Sequence, residues 1–318
     1  MEWFLMLAGF ALASYAVVAN DAIQTLGTFL ASNRERPWWV LWLYSGSILV
    51  AVLLWGWFTH DGDVSYGRLD RIPFPDPYTW LYVLPPIVLL ILTRLGMPVS
   101  TTFLVLTVFS PKSLGSMLTK SLLGYAVAFV VALLVYLAIA EIVSKRFTPD
   151  NPVKRPRLWL VIQWLSTGFL WTQWLIQDLA NIFVYLPRPL QPEALLGGLA
   201  MMVALLGWVF YSAGGPIQKI VTSKTNTTDI RAAAVINFTY GLVLFFFKEL
   251  SNIPMSTTWV FLGMLAGREL ALTIRLKIRT PKETGALVLR DVIKAGIGLA
   301  ASVALALLLP MLTDWVTG

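Results

Sequence analysis

Apolar residues fall in long blocks separated by short polar stretches. The blocks at 48–57, 122–140, 195–210 and 286–309 are the clearest, and several approach or exceed the roughly 20 residues that a helix needs to cross a bilayer. A pass along the whole chain places hydrophobic segments near 4–33, 38–58, 79–95, 98–110 and 114–142. A basic, proline-containing stretch follows at 143–157, and then segments near 158–186, 193–212, 231–250, 254–272 and 285–312. The expected fold is an all-α integral membrane protein with about ten hydrophobic segments, five on each side of a linker.

An odd number of crossings per half would make the second half enter the membrane in the opposite sense to the first. The expectation is therefore two inverted-topology repeats, 1–142 and 158–318, joined by a basic cytoplasmic linker at 143–157. The segment at 98–110 is short for a crossing and could instead be half of a re-entrant hairpin. Either version puts it inside the protein, because irregular backbone is tolerated at membrane depth only when it is buried or lines a cavity.

Composition agrees with the membrane class. The chain is 57% hydrophobic and only 13% charged, with a mean hydropathy of +0.72, against about 25% charged in soluble domains. The N-terminus shows no basic region or small-residue cleavage site and reads as the first membrane helix. The absence of cysteine excludes disulfides and thiolate metal sites, and the single histidine, His60, falls in a polar loop. The net charge of +7 gathers around Lys145, Arg146, Lys154, Arg155 and Arg157, and again around Arg275, Lys277, Arg279 and Lys282. Short basic loops of this kind are cytoplasmic topology signals. Neither cluster is interleaved with aromatics, so nucleic acid is not an expected partner.

Two motifs occur in both halves. Asn20-Asp21-Ala22-Ile23-Gln24 corresponds to Gln177-Asp178-Leu179-Ala180-Asn181, and Pro98-Val99-Ser100-Thr101-Thr102 corresponds to Pro254-Met255-Ser256-Thr257-Thr258. Asp21 and Asp178 are 157 residues apart and the two prolines 156, so both motifs report nearly the same repeat length. A carboxylate at bilayer depth is costly and normally faces the interior with a partner. On a helix, Asp21, Gln24 and Thr28 share a face, as do Asp178, Asn181 and Tyr185. Carboxylate, amide and hydroxyl oxygens suit a hard cation, and no Lys or Arg within either motif offers an ion pair. Proline followed by Ser and Thr reads as a helix start. At membrane depth, its free N–H groups, partial positive charge and hydroxyls can hold an anion. Transporters place substrate and coupling ions at such broken helices, near the interface of their repeats.

These residues resemble the inorganic phosphate transporter (PiT) family, whose halves each carry a Gly-Ala-Asn-Asp-type signature and a Pro-Ile-Ser-Thr-Thr-His-type motif. Asn20, Asp21, Gly27 and Thr28 match the first signature, with Gln24 where Asn is usual; the second copy matches at Asp178 and Asn181, with Gln177 in place of Asn. Phe103 and Trp259 stand where the family has histidine. The resemblance implies gradient-driven phosphate transport with Na+ or H+ as the coupling ion. It implies that Asn20, Asp21, Gln24, Thr28, Gln177, Asp178 and Asn181 serve the cation, with Asp21 and Asp178 binding Na+ directly. Ser100, Thr101, Thr102, Ser256, Thr257 and Thr258 would then hold the oxyanion.

The expected function is thus a secondary active phosphate transporter in a multi-pass cell membrane of the bacterial inner-membrane type. No catalytic residues and no cofactor beyond the coupling ion are expected, and a homodimer is compatible with the reading. The alternatives are a sulfate or other oxyanion permease, a passive anion channel, or a non-transporting sensor of the same fold. An intramembrane enzyme is disfavoured because the segments lack an acid/base pair or an activated nucleophile. Gly214-Gly215-Pro216 lacks the spacing of a nucleotide-binding loop, and the Asn226-Thr227-Thr228 sequon falls in a loop expected to be cytoplasmic.

Overall fold

A computed structural model describes residues 2–95, 97, 99–146, 156–214, 218, 229–277 and 279–317. Pro98, most of the linker, Gly215, Pro216 and the Asn226 sequon lie outside the described residues, as does the side chain of Asn20.

Helices carry the described structure, and each predicted hydrophobic segment contains one. The first segment is α1 (Glu2–Ala16), a π-helical turn (Val17–Asp21) and α2 (Ala22–Ser32) in unbroken succession. Then come α3 (Trp38–Thr59), α4 (Leu84–Arg94) led in by a 3-10 turn (Trp80–Val83), and α5 (Thr107–Phe109) led in by a second π-helical turn (Thr102–Leu106). The first half ends with α6 (Leu114–Arg146). The second half has α7 (Pro156–Asp178), the short α8 (Ala180–Phe183), α9 (Pro192–Tyr211), α10 (Ile230–Leu250), α11 (Thr257–Leu276) and α12 (Pro281–Thr317). Six helices among the described residues are long and apolar enough to cross a membrane, and the helix at Trp80–Arg94 is apolar but shorter. Large apolar side chains such as Phe4, Trp55, Leu134, Leu165 and Met311 are exposed on the outside, where a lipid-facing surface carries them.

Phe109 and Tyr82 pack with centroids 5.0 Å apart and planes tilted by 37°, so the end of α5 returns to the start of the 80–94 helix. The 80–109 stretch therefore doubles back on itself, with the Ser-Thr-Thr residues between its two helical arms.

Close helix contact fixes the frame around that hairpin. α11 and α6 run side by side. A side chain at Gly263 would collide with the Tyr125 carbonyl, and one at Gly267 with the Phe129 carbonyl. These glycines, four residues apart, let two backbones touch, as small residues do between membrane helices. α10 lies along α7, with Gly241 under the Phe169 ring and the Leu170 backbone.

The 60–79 loop is folded onto the helix ends. Asp63 accepts from the Ser65 N–H at 2.7 Å and the Gly67 N–H at 2.6 Å, and Gly62 and Gly67 take the positive φ values of 87° and 73° that the tight path needs. Arg188 clamps the loop from the other half, donating to the Leu69 carbonyl at 2.7 Å and the Ile72 carbonyl at 2.9 Å. The consequence is that Arg68, in a polar loop, is driven into the protein and is only 2% exposed.

Candidate functional site

Both aspartates sit where a helix loses its regular pitch. Asp21 closes the π-helical turn in which the Ala22 N–H bonds back to the Val17 carbonyl, and Asp178 is the last residue of α7, just before α8 restarts at Ala180. Widened turns of this kind recur at functional sites because they re-aim side chains. Each carboxylate is 1% exposed.

The first motif closes on itself. Thr101 donates its hydroxyl to Asp21 Oδ2, and the Gln24 amide reaches Asp21 Oδ1 at 3.4 Å. In the second half, Asn181 Nδ2 donates to Asp178 Oδ1 at 2.8 Å, and Thr257 lies against the same carboxylate. Asp178 Oδ2 and Asn181 Oδ1 are buried with no hydrogen-bond partner among the described residues, and so is Thr25 Oγ1. Unpaired buried oxygens are expensive, and the carboxylate and amide oxygens that Asp178 and Asn181 bring together suit a hard cation.

The two Pro-x-Ser-Thr-Thr motifs start their helices in the same way. Ser100 Oγ accepts from the Phe103 N–H at 3.2 Å and Ser256 Oγ accepts from the Trp259 N–H at 3.2 Å, the N-cap bond expected of serine at this position. They also meet. Thr102 donates to the Met255 carbonyl at 3.1 Å and receives a bond from Asn181 Nδ2 at 3.4 Å. Phe103 and Trp259 pack on each other beside these contacts. Ser100, Thr101, Thr102, Ser256, Thr257 and Thr258 are all at most 4% exposed. Tyr240 braces the centre, donating to the Thr257 carbonyl at 3.0 Å, and lies in the field of both aspartates.

Two residues grouped by helical spacing, Thr28 and Tyr185, go elsewhere, and so does Gln177, which only the resemblance assigned to the cation. Thr28 bonds Asn237 at 2.5 Å, and Asn237 continues to Thr167 at 2.8 Å. Tyr185 packs on Phe109 with centroids 5.2 Å apart. Gln177 turns to the Leu244 carbonyl at 3.3 Å and accepts from Arg68 Nε at 3.2 Å. Arg68 itself was not legible as a neighbour of the aspartates. It shares an electrostatic field with Asp178; burial pushes its pKa down to about 10, against the opposing pull of Asp178 and Asp63, so it stays cationic at neutral pH. Ser121, which accepts from the Ser256 N–H at 2.8 Å, and Tyr240 are further neighbours that no motif announced.

The fold, with six helices long and apolar enough to cross a bilayer among the described residues, defines a multi-pass helical membrane protein. A solved structure, described as the sodium-dependent phosphate transporter, superposes on it with a TM-score of 0.61 at 16% identity, covering 98% of this chain and 99% of that one. No protein-family model matches the sequence, and no curated protein matches it.

Proposed function

We propose that the chain is a secondary active transporter that couples a Na+ gradient to the movement of inorganic phosphate, with two inverted repeats alternating in access. The observation that carries this reading is the convergence of both motif pairs: Thr101 on Asp21, and Asn181 on both Asp178 and Thr102. Hydroxyls and capped helix starts serve the anion, while the paired carboxylates serve the cation, whose charge offsets that of the phosphate. The fold neighbour is a sodium-dependent phosphate transporter, which supports phosphate and Na+ ahead of sulfate and H+. Asn20, next to Asp21 in sequence, is assigned to the cation on the resemblance alone. The site is buried, so release to either side requires the helices around it to move, as alternating access demands. The setting is a cell membrane of the bacterial type.

Radiolabelled phosphate uptake into proteoliposomes, with and without an imposed Na+ gradient, tests the proposal. Wild type should concentrate phosphate only with the gradient, and Asp21→Asn or Asp178→Asn should lose accumulation. Undiminished gradient-driven uptake in both variants would sink the mechanism, and a proton gradient driving uptake equally well without Na+ would reassign the coupling ion. Uptake that never exceeds the electrochemical equilibrium of phosphate would favour a channel. Competition by sulfate and arsenate ranks the anions.

A further inference from the structure

A cavity of about 750 Å³ opens beside the buried site, lined among others by His60, Tyr66, Arg68, Gln173, Lys248 and Asn252. Its walls come from α3, α7, the end of α10 and the folded 60–79 loop. Arg68 is the notable member. Its Nε is held by Gln177 at 3.2 Å and its Nη1 reaches the Tyr66 carbonyl at 3.4 Å, yet its Nη2 has no hydrogen-bond partner among the described residues although the side chain is 2% exposed. Gln173, 6% exposed, likewise leaves its Oε1 unpaired.

Asp178 acts on this guanidinium through its field, but among the described residues no carboxylate hydrogen-bonds to it. Asp63 spends its oxygens on the loop through Ser65 and Gly67, and Glu249 is paired with Lys248 at 2.7 Å. A buried cation with an idle N–H, on a residue that lines a cavity, is unfavourable unless a partner reaches it. The planar guanidinium fork suits an oxyanion. The Gln173 amide can bond to a phosphate that offers both bare oxygens and a P–OH group.

We propose that this cavity is a waiting site for a phosphate-class oxyanion, held by Arg68 on its way to the Ser-Thr-Thr residues. The proposal rests on reading the chain as an anion transporter, but it predicts binding without Na+. Gln177 gives the site its link to the centre, since it holds Arg68 on one side and precedes Asp178 in sequence. An anion arriving here lowers the cost of the buried guanidinium before any cation binds.

The natural absence of cysteine makes the test direct. Asn252→Cys places one thiol on the cavity wall, and its labelling by an anionic methanethiosulfonate is followed in detergent without Na+. Inorganic phosphate should slow labelling several-fold, whereas chloride at matched ionic strength should not. Adding Arg68→Gln should abolish that protection. Equal slowing by chloride, or full protection in the Arg68→Gln background, would overturn the site. Should that variant fail to fold, Arg68→Lys decides: at least a five-fold rise in the half-protective phosphate concentration supports the fork, and an unchanged value overturns it. Protection in phosphate-free nanodiscs of anionic lipid, but not by free phosphate in detergent, would assign the cavity to a lipid headgroup instead. Loss of uptake by wild type would sink the transport reading and leave the labelling result standing on its own.

Discussion

Phe103 and Trp259 meet edge to face, with ring centroids 5.6 Å apart and planes at 78°. They are the third residues after Ser100 and Ser256, so the contact joins equivalent positions of the two motifs and brings their capped helix starts together. Removing either ring costs contact area as well as the aromatic geometry. Phe103→Ala should destabilise the protein by about 3–5 kcal/mol, as truncation of a buried ring does. Trp259→Ala should cost less, because its ring is only partly buried. The double variant should fall short of the sum by about 0.5–1.5 kcal/mol, measured by thermal unfolding in one detergent.

The Thr101 hydroxyl is committed to the Asp21 carboxylate, so on the proposed reading it sets how that carboxylate meets the coupling cation. Thr101→Val should raise the Na+ concentration for half-maximal uptake by roughly ten- to a hundred-and-fifty-fold, the equivalent of about 1.5–3 kcal/mol for a bond to a charged group. Thr101→Ser should restore most of it. A Val variant with an unchanged Na+ response would remove Thr101 from the cation site.

The chain of Thr28, Asn237 and Thr167 ties α2 to α10 and α7. Thr28→Val should lower stability by about 0.6–1.7 kcal/mol, the range for hydrogen bonds between membrane helices. The Na+ response should change little, since the hydroxyl is already given to Asn237. A large shift in Na+ affinity would instead put Thr28 among the cation ligands.

Gly263 and Gly267 have no room for a side chain against α6. Gly263→Leu and Gly267→Leu should each destabilise by about 1–3 kcal/mol or more, the usual cost of overpacking, and lower the yield of folded protein. Gly296→Leu, with open space around it, is the control and should unfold at the wild-type temperature.

The long apolar runs and the two doubled motifs were legible because both are local. A membrane helix announces itself by length, and Asp21 and Asp178 by being carboxylates where none is tolerated without reason. Side-chain direction was less legible. The i, i+7 grouping of Asp178 with Tyr185 assumes an unbroken helix, but α7 stops at Asp178, and Tyr185 swings to Phe109 and away from the carboxylate. The same spacing fails for Thr28 because a partner 209 residues away captures its hydroxyl. Arg68 sits in a polar loop that reads as solvated, and its bond to Gln177 spans 109 residues. The glycine pair at 263 and 267 was readable in principle, since its spacing places both on one helix face.

The hydroxyl of Thr102 does two jobs at once: it donates to the Met255 carbonyl and accepts from the Asn181 amide, both from the other half of the chain. It works as a rivet between the two motifs. Any rearrangement that parts the motifs strips the buried Thr102 hydroxyl and the Met255 carbonyl of their bond, while Asn181 keeps only its bond to Asp178, unless cargo takes the vacated places. On the proposed transport reading, an empty carrier would meet a penalty for opening that a loaded one escapes, and a single side chain would discourage wasteful cycling.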